Sequence, residues 1–254
     1  DLHYPLRRQR QMCIRDRHRK AGQDAKRGKV FTKIIRELTV AAKMGGGNIS
    51  DNPRLRAVVD KALSANMTRD TIDRAIARGS GSAESENLEE LTYEGYGPGG
   101  VAILCQTLTD NKNRTVAEVR HGFSKYGCSL GTSGSVSYLF TQTGVISFAS
   151  HASEEEIMEH ALDAGAHDIV VTADSIDVMT TLENFGVVQD SLKEVGIESI
   201  SAEMTMLASN EIDLNLSDAE KLLKLIEHLE DLDDVQNVFS NAKLSADIIA
   251  KLKI

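Results

Sequence analysis

The chain has 254 residues, 41% of them hydrophobic and 26% charged, with a formal charge of −9, 4% aromatics and no Trp. Such a chain is long enough for a sizeable core or for two to three small domains, and its composition excludes the disordered and fibrous classes. The scarcity of Phe, Tyr and Trp argues against recognition of bases by an aromatic platform.

No apolar run approaches the roughly 20 residues of a membrane span. No apolar stretch follows the basic N-terminus as in a secretory signal. Cys13, Cys105 and Cys128 are odd in number and widely spaced, without a CxxC pair, so no disulfide framework is expected. The expectation is a cytoplasmic protein with no membrane partner. The charge is polarised: residues 1–78 hold 19 Lys and Arg against 8 Asp and Glu, a net of +11, and residues 79–254 net −20. That asymmetry predicts a basic module for a polyanion joined to an acidic body.

Residues 21–44 read as an amphipathic helix. On a helical wheel Phe31, Ile34, Ile35, Leu38, Ala41 and Ala42 share one side, and Lys29, Lys33, Arg36 and Lys43 the other. Gly45, Gly46 and Gly47 end it. Asn52 then reads as the cap of a second helix, with Pro53 at its first position and Leu55, Val58, Val59, Ala62 and Leu63 as its buried stripe. Thr68 reads as the cap of a third, with Ile72, Ala75 and Ile76 inward and Arg74 and Arg78 towards its negative end. Residues 1–78 are thus expected to form a basic three-helix domain.

The stretch "GSGSAESENLEE", from Gly79, reads as a linker, placed at 79–87. Beyond it the pattern predicts strands at 101–108, 135–140, 144–149, 202–207, 211–216 and 235–240, and a hairpin over 168–180. Helices are predicted at 116–125, 154–164, 184–195 and 217–230. This alternation suits small α+β sandwich domains, and about 170 residues suffice for two.

Several stretches invite a chemical reading. "YEGYGPGG" (93–100) runs into a strand rather than opening a helix with Gly-Lys-Ser/Thr, so it reads as a tight turn and not a phosphate loop. "DNKNRTVAEVRHGFSKYG" (110–127) predicts a helix capped by Asn113 and exposing Arg114, Arg120, His121 and Lys125. That cluster reads either as a second nucleic-acid contact or as a solvated helix face. "EHLEDLDDV" (227–235) lacks EF-hand spacing and reads as a solvated helix end. The His residues fall in different elements, and "GTSGS" (131–135) precedes a strand instead of forming a nucleophile elbow. Neither catalytic residues nor a metal or other cofactor are expected.

"RKAGQDAKRGKVFTKIIREL", "NPRLR", "YEGYGPGGVA", "NRTVAEVRHGFSKYG", "GSVSYLF" and "AEKLLKLIEHLEDLDDVQNVF", in this order, resemble the YebC/PmpR family from about His18 to the C-terminus. The resemblance implies an α+β fold of three domains. A helical N-terminal domain comes first, then a middle domain of 88–133 plus 208–254, with 134–207 inserted. It also implies a non-enzymatic, DNA-binding regulator of transcription. Mitochondrial relatives are translational activators and bacterial members are connected to ribosomes, which implies an alternative: an RNA-binding, ribosome-associated translation factor. "DLHYPLRRQRQMCIRDR" replaces the family's usual Gly/His/Ser/Lys/Trp-containing start, so residues 1–17 are expected to be foreign to it.

The basic stripe is expected to meet nucleic-acid phosphates through Lys20, Lys26, Lys29, Lys33 and Arg36, with Arg54 and Lys61 beside them. Arg19 and Arg27 are secondary. No helix carries Asn, Gln and Arg at base-reading spacing. A third reading is an adaptor whose acidic domains bind a protein while the basic helix packs on them.

Overall fold

The computed structural model describes residues 28–81, 88–172 and 175–252. Lys20, Lys26 and the expected foreign segment 1–17 lie outside these described residues, as does 82–87 of the expected linker.

The N-terminal module is helical. Helix α1 covers 28–45 of the described residues, α2 is Pro53–Ser64 and α3 is Arg69–Ser80. Ile34, Leu38, Ala41 and Ala42 of α1 pack against Leu55, Val58 and Ala62 of α2 and Ile72, Ala75 and Ile76 of α3. Asn52 ties two helix ends together. Its Oδ1 accepts from Leu55 N at 3.0 Å, and its Nδ2 donates to Ala41 O at 2.8 Å and Gly46 O at 2.9 Å. Gly46 turns the chain with φ +85°, a conformation that costs glycine little.

Three local expectations change here. Leu63 is exposed rather than part of the α2 stripe. Thr68 occupies the N-cap position of α3, but its hydroxyl meets Thr71 Oγ1 at 2.9 Å instead of capping an amide. Gly79 does not begin a linker but is a buried residue of α3. A Cβ there would stand 2.3 Å from Thr39 O and 2.9 Å from Ala42 Cβ, so only glycine lets α3 cross α1 this closely.

The first sheet is ordered β3 (Ser129–Leu130), β1 (Glu89–Tyr96), β2 (Ala102–Thr109) and β9 (Val235–Ser240), all antiparallel. Strand β1 (Glu89–Tyr96) pairs with β2 (Ala102–Thr109) from Glu89↔Thr109 to Tyr96↔Ala102. The turn between them uses Gly99 and Gly100 at positive φ, as the tight-turn reading expects. The start of β1 overlaps the last two residues of "GSGSAESENLEE", and its register was not evident from the sequence. Helix α4 (Lys112–Lys125) follows β2, and β3 (Ser129–Leu130) follows α4. Asn111, not Asn113, caps α4, its side chain accepting from Arg114 N at 3.1 Å.

Strand β4 (Phe140–Ala149) opens a second antiparallel sheet, ordered β5-β6-β4-β7. Its other strands are β5 (Asp168–Val171), β6 (Ser175–Thr180) and β7 (Ser201–Ala208). Helices α5 (Glu154–Asp163) and α6 (Phe185–Glu194) pack on it through Ile157, Ala161, Phe185, Val188 and Leu192 against Ile146, Phe148, Ile176 and Val178.

The strand expected at 135–140 is instead a 3₁₀ turn at Ser137–Leu139. The cause is Glu94, which is buried. Its carboxylate accepts from the backbone N–H of Gly134 (2.7 Å), Val136 (2.7 Å) and Ser137 (2.8 Å), taking donors that a sheet ladder needs.

The chain then returns to the first sheet. β8 is only Ile212–Asp213, shorter than the expected 211–216, because Asn215 caps α7 (Leu216–Glu230) by accepting from Asp218 N at 2.9 Å. Strand β9 (Val235–Ser240) pairs with β2 from Ile103↔Ser240 to Thr107↔Val235. β10 (Ala242–Lys243) pairs parallel with β8, and α8 (Ala246–Leu252) follows. The first core joins Val101, Ile103 and Cys105 of the β1–β2 hairpin region to Val119 and Phe123 of α4 and Leu222, Leu225 and Leu229 of α7. On the opposite side of β2, Ala102 and Leu104 meet Val136 and Phe140, linking the two sheets. The architecture is α+β, with N-terminal helices followed by two helix-covered sheets.

Candidate nucleic-acid interface

Helix α1 presents Lys29, Lys33 and Arg36 at i, i+4 and i+7, one stripe of the helix. Opposite them lies the turn from α7 to β9, which carries Glu230, Asp231, Asp233 and Asp234. Lys29 Nζ donates to Asp231 Oδ1 at 3.0 Å and Asp231 O at 3.2 Å. Lys33 Nζ donates to Glu230 O at 2.6 Å. Arg36 Nη1 donates to Asp233 O at 2.8 Å and Asp234 Oδ1 at 3.1 Å. Burial pushes the Lys33 ammonium below its usual range. Glu230 opposes that shift and Lys29 adds to it.

Asp234 is the hub of this contact, its side chain only 3% exposed. Besides Arg36 it accepts from Arg114 Nη2 (2.7 Å) and Nε (3.2 Å), Thr115 Oγ1 (2.9 Å) and Thr109 Oγ1 (3.2 Å). Burial alone drives its pKa upwards. The bonds from Arg114, Thr115 and Thr109 outweigh burial and hold it below the usual carboxylate range. Arg114 also donates to Asp110 at 2.7 Å, and its pKa is raised, first through its bond to Asp234.

The other two described candidates are also paired. Arg54 bonds Glu90, at the start of β1, and Lys61 Nζ bonds Glu37 Oε2 at 3.0 Å, across from α2 to α1. The structure therefore gathers Lys29, Lys33 and Arg36 on the α7–β9 turn and sets Arg54 and Lys61 apart from them.

The reading of 227–235 as a solvated helix end is corrected at Asp234, which is buried and fourfold partnered. The signal was in the sequence: four acids within five residues, matched to three cations on one helical stripe. Each run looks self-contained in the sequence, because nothing local says that residues about 200 apart meet. Arg114 is exposed as expected, its side chain 42% so, and it also bonds Asp234, a partner 120 residues away.

A cleft of about 740 Å³ opens between α2, α6, β7 and β9, lined among others by Asp60, Lys61, Gln189, Glu203 and Asn237. Among the described residues, no group of three His, Cys, Asp or Glu side chains is placed to hold a metal ion, and no helix is long and apolar enough to cross a membrane.

Residues 15–82 match the TACO1/YebC protein N-terminal domain, and residues 88–242 match the TACO1/YebC second and third domain. The transcriptional regulatory protein PmpR of Pseudomonas aeruginosa is 60% identical over 237 residues, covering 93% of this chain and 96% of that protein. A probable transcriptional regulatory protein of Idiomarina loihiensis is 59% identical, over 93% of this chain and 95% of its own length. The probable transcriptional regulatory protein YebC of Salmonella arizonae is 58% identical, over 93% and 96%. The crystal structure of conserved hypothetical protein Aq1575 from Aquifex aeolicus superposes with a TM-score of 0.76 at 43% identity, covering 87% of this chain and 92% of that one. With both halves of the chain matched and the α+β architecture shared, this protein belongs to the TACO1/YebC family, whose curated relatives bear the names of transcriptional regulatory proteins.

Proposed function

We propose that the protein is a non-enzymatic regulator of transcription that binds DNA through its basic N-terminal segment. One observation carries the reading: residues 18–78, without the expected foreign segment, net +8, while residues 79–254 net −20. Lys20, Lys26, Lys29, Lys33 and Arg36, together with Arg54 and Lys61, are the proposed phosphate contacts. Phosphates attract such cations with little regard to base sequence. At Lys29, Lys33 and Arg36 they compete with the oxygens of the α7–β9 turn, so that turn sets a threshold for binding.

One observation favours RNA, as in a ribosome-associated translation factor. α1 over its described residues, α2 and α3 contain neither Asn nor Gln, and these are the side chains that read adenine in the major groove. Backbone recognition fits either nucleic acid.

Fluorescence anisotropy of the full chain with matched DNA duplex and RNA, across salt, tests both. Charge reversal at Lys26, Lys29 and Lys33 is expected to weaken binding strongly and to lower its salt dependence. Binding that survives unchanged overturns the reading and favours the adaptor, and the tighter nucleic acid separates DNA from RNA.

A further inference from the structure

A second group of cations lies on α4 and α7, away from the α1 contact. The helices approach closely at Gly122, where a Cβ would stand 3.0 Å from Leu229 Cδ2 and 3.1 Å from His228 Cδ2. That approach sets the His121 and His228 rings 6.4 Å apart and the Tyr126 and His228 rings 5.9 Å apart, both edge-on. Lys125 Nζ lies over the Tyr126 ring, 5.6 Å from its centre, within cation–π range.

On α7, Lys221, Lys224 and His228 fall within about 60° on a wheel of 100° per residue. The buried stripe of Ala219, Leu222, Leu225 and Leu229 points elsewhere. Lys221 shares that stripe with Lys224 and His228, and Cys128, just after α4, donates its thiol to Tyr126 O at 3.5 Å. Glu220 and Glu227 lie on the neighbouring flank of α7.

These cations differ in their pairing from Lys29, Lys33, Arg36, Arg54 and Lys61 of the N-terminal module. The described residues hold no ion pair to Lys125 or Lys224, and the one at Lys221, to Asp218, is long at 4.0 Å. Grouping them costs repulsion. His228 is pushed towards its neutral form by burial and then by Lys125 and His121, with Asp231 opposing. A surface that keeps unpaired cations together in a segment of net −20 is one that a bound anion relieves.

We propose that this α4–α7 face is a second nucleic-acid contact. Lys125, Lys221 and Lys224 pair with backbone phosphates, and the Tyr126, His121 and His228 rings give apolar surface to a sugar or base. The contact is separate from α1 and stands without it.

The test uses the full chain, with fluorescein-labelled oligouridine and oligothymidine as probes, titrated by anisotropy at several salt concentrations. The triple variant Lys125→Gln, Lys221→Gln, Lys224→Gln is compared with wild type and with Lys26→Gln, Lys29→Gln, Lys33→Gln. Each lost phosphate contact lowers the slope of log K against log salt by about 0.7 on a single strand, so the α4–α7 variant should lose about 2 in slope. It should also bind about tenfold more weakly at low salt. Lys→Arg at the same three positions should restore both.

An unchanged slope in the Gln variant overturns the proposal, and so does an absence of wild-type binding to either probe. A loss that Lys→Arg fails to restore marks a structural defect and overturns it too. Loss confined to the α1 variant removes this contact and keeps the reading of α1. Loss confined to the α4–α7 variant does the reverse. Tighter binding of oligouridine than oligothymidine identifies RNA as the partner.

Discussion

Asp234→Ala is expected to loosen the seam between the N-terminal helices and the first sheet. The substitution removes the acceptor shared by Arg36, Arg114, Thr109 and Thr115. Removing one partner of a buried ion pair costs about 3–5 kcal/mol. The lower end applies here, because the Arg36 and Arg114 side chains are 23% and 42% exposed and recover some water. For a chain of this size 1 kcal/mol moves Tm by about 2–4 °C, so a loss of about 3 kcal/mol predicts a fall of about 6–12 °C. Circular dichroism melts at pH 7 measure it, and Asp234→Asn, which keeps volume and one acceptor, should fall by about half as much.

Acid provides an independent check. The folded Asp234 carboxyl is held below its unfolded value, so its contribution is fully present above the unfolded value of about 3.9. It is lost as pH falls through the folded value. The gap between wild type and Asp234→Ala should therefore persist down to about pH 4 and close below it. A Tm within about 2 °C of wild type at pH 7, or a gap that closes between pH 7 and 5, would refute the account of Asp234 as a buried, charged hub.

Glu94→Gln should free the 134–137 turn. The amide keeps one acceptor oxygen where the carboxylate offers two to three N–H groups, a loss of about 2 kcal/mol, and amide exchange at Gly134, Val136 and Ser137 should accelerate. Unaltered exchange there would sink the idea that Glu94 holds the turn. Gly79→Ala should destabilise the N-terminal module by about 1–3 kcal/mol, because its methyl group meets Thr39 O and Ala42; a melt identical to wild type would show that α3 shifts freely. Cys105 is buried, and burial pushes its thiol up to about 12, so maleimide should modify it only after unfolding, whereas half-buried Cys128 reacts in the folded protein. Peptide mapping reads both sites, and equal native rates would contradict the buried assignment.

Much of the architecture was legible where the local chemistry is strong. Asn52-Pro53 marks a helix start because a capping side chain precedes a residue that lacks the N–H the cap would leave unused. The stripe Ile34, Leu38, Ala41 and Ala42 marks a buried helix face by period alone. Illegible features depend on distant partners. Residues 135–140 alternate like a strand, yet Glu94, some forty residues earlier, takes their amides. Asn113 looks as good a cap as Asn111, and the choice follows from where β2 ends.

The candidate site shows the same division. Charge placed the cations on one stripe of α1, and only the fold shows that Asp231, Asp233 and Asp234 face them. Gly79 was misread because Gly-Ser composition signals a loop, whereas the close crossing of α1 by α3 requires the missing side chain.

The placement of β9 beside β2 also orders events during synthesis. β2 ends at Thr109, and its second neighbour begins at Val235, so the first sheet stays one strand short until nearly the whole chain has been made. The second sheet, contained within 140–208, has no such dependence. A ribosome-bound chain truncated before α7 should protect the amides of β4 and β6 while leaving β2 open along the edge that β9 later covers. Because non-local pairings close slowly, the β2–β9 pairing is the expected late step of folding, and the exposed β2 edge is the surface most prone to mispairing in the interval.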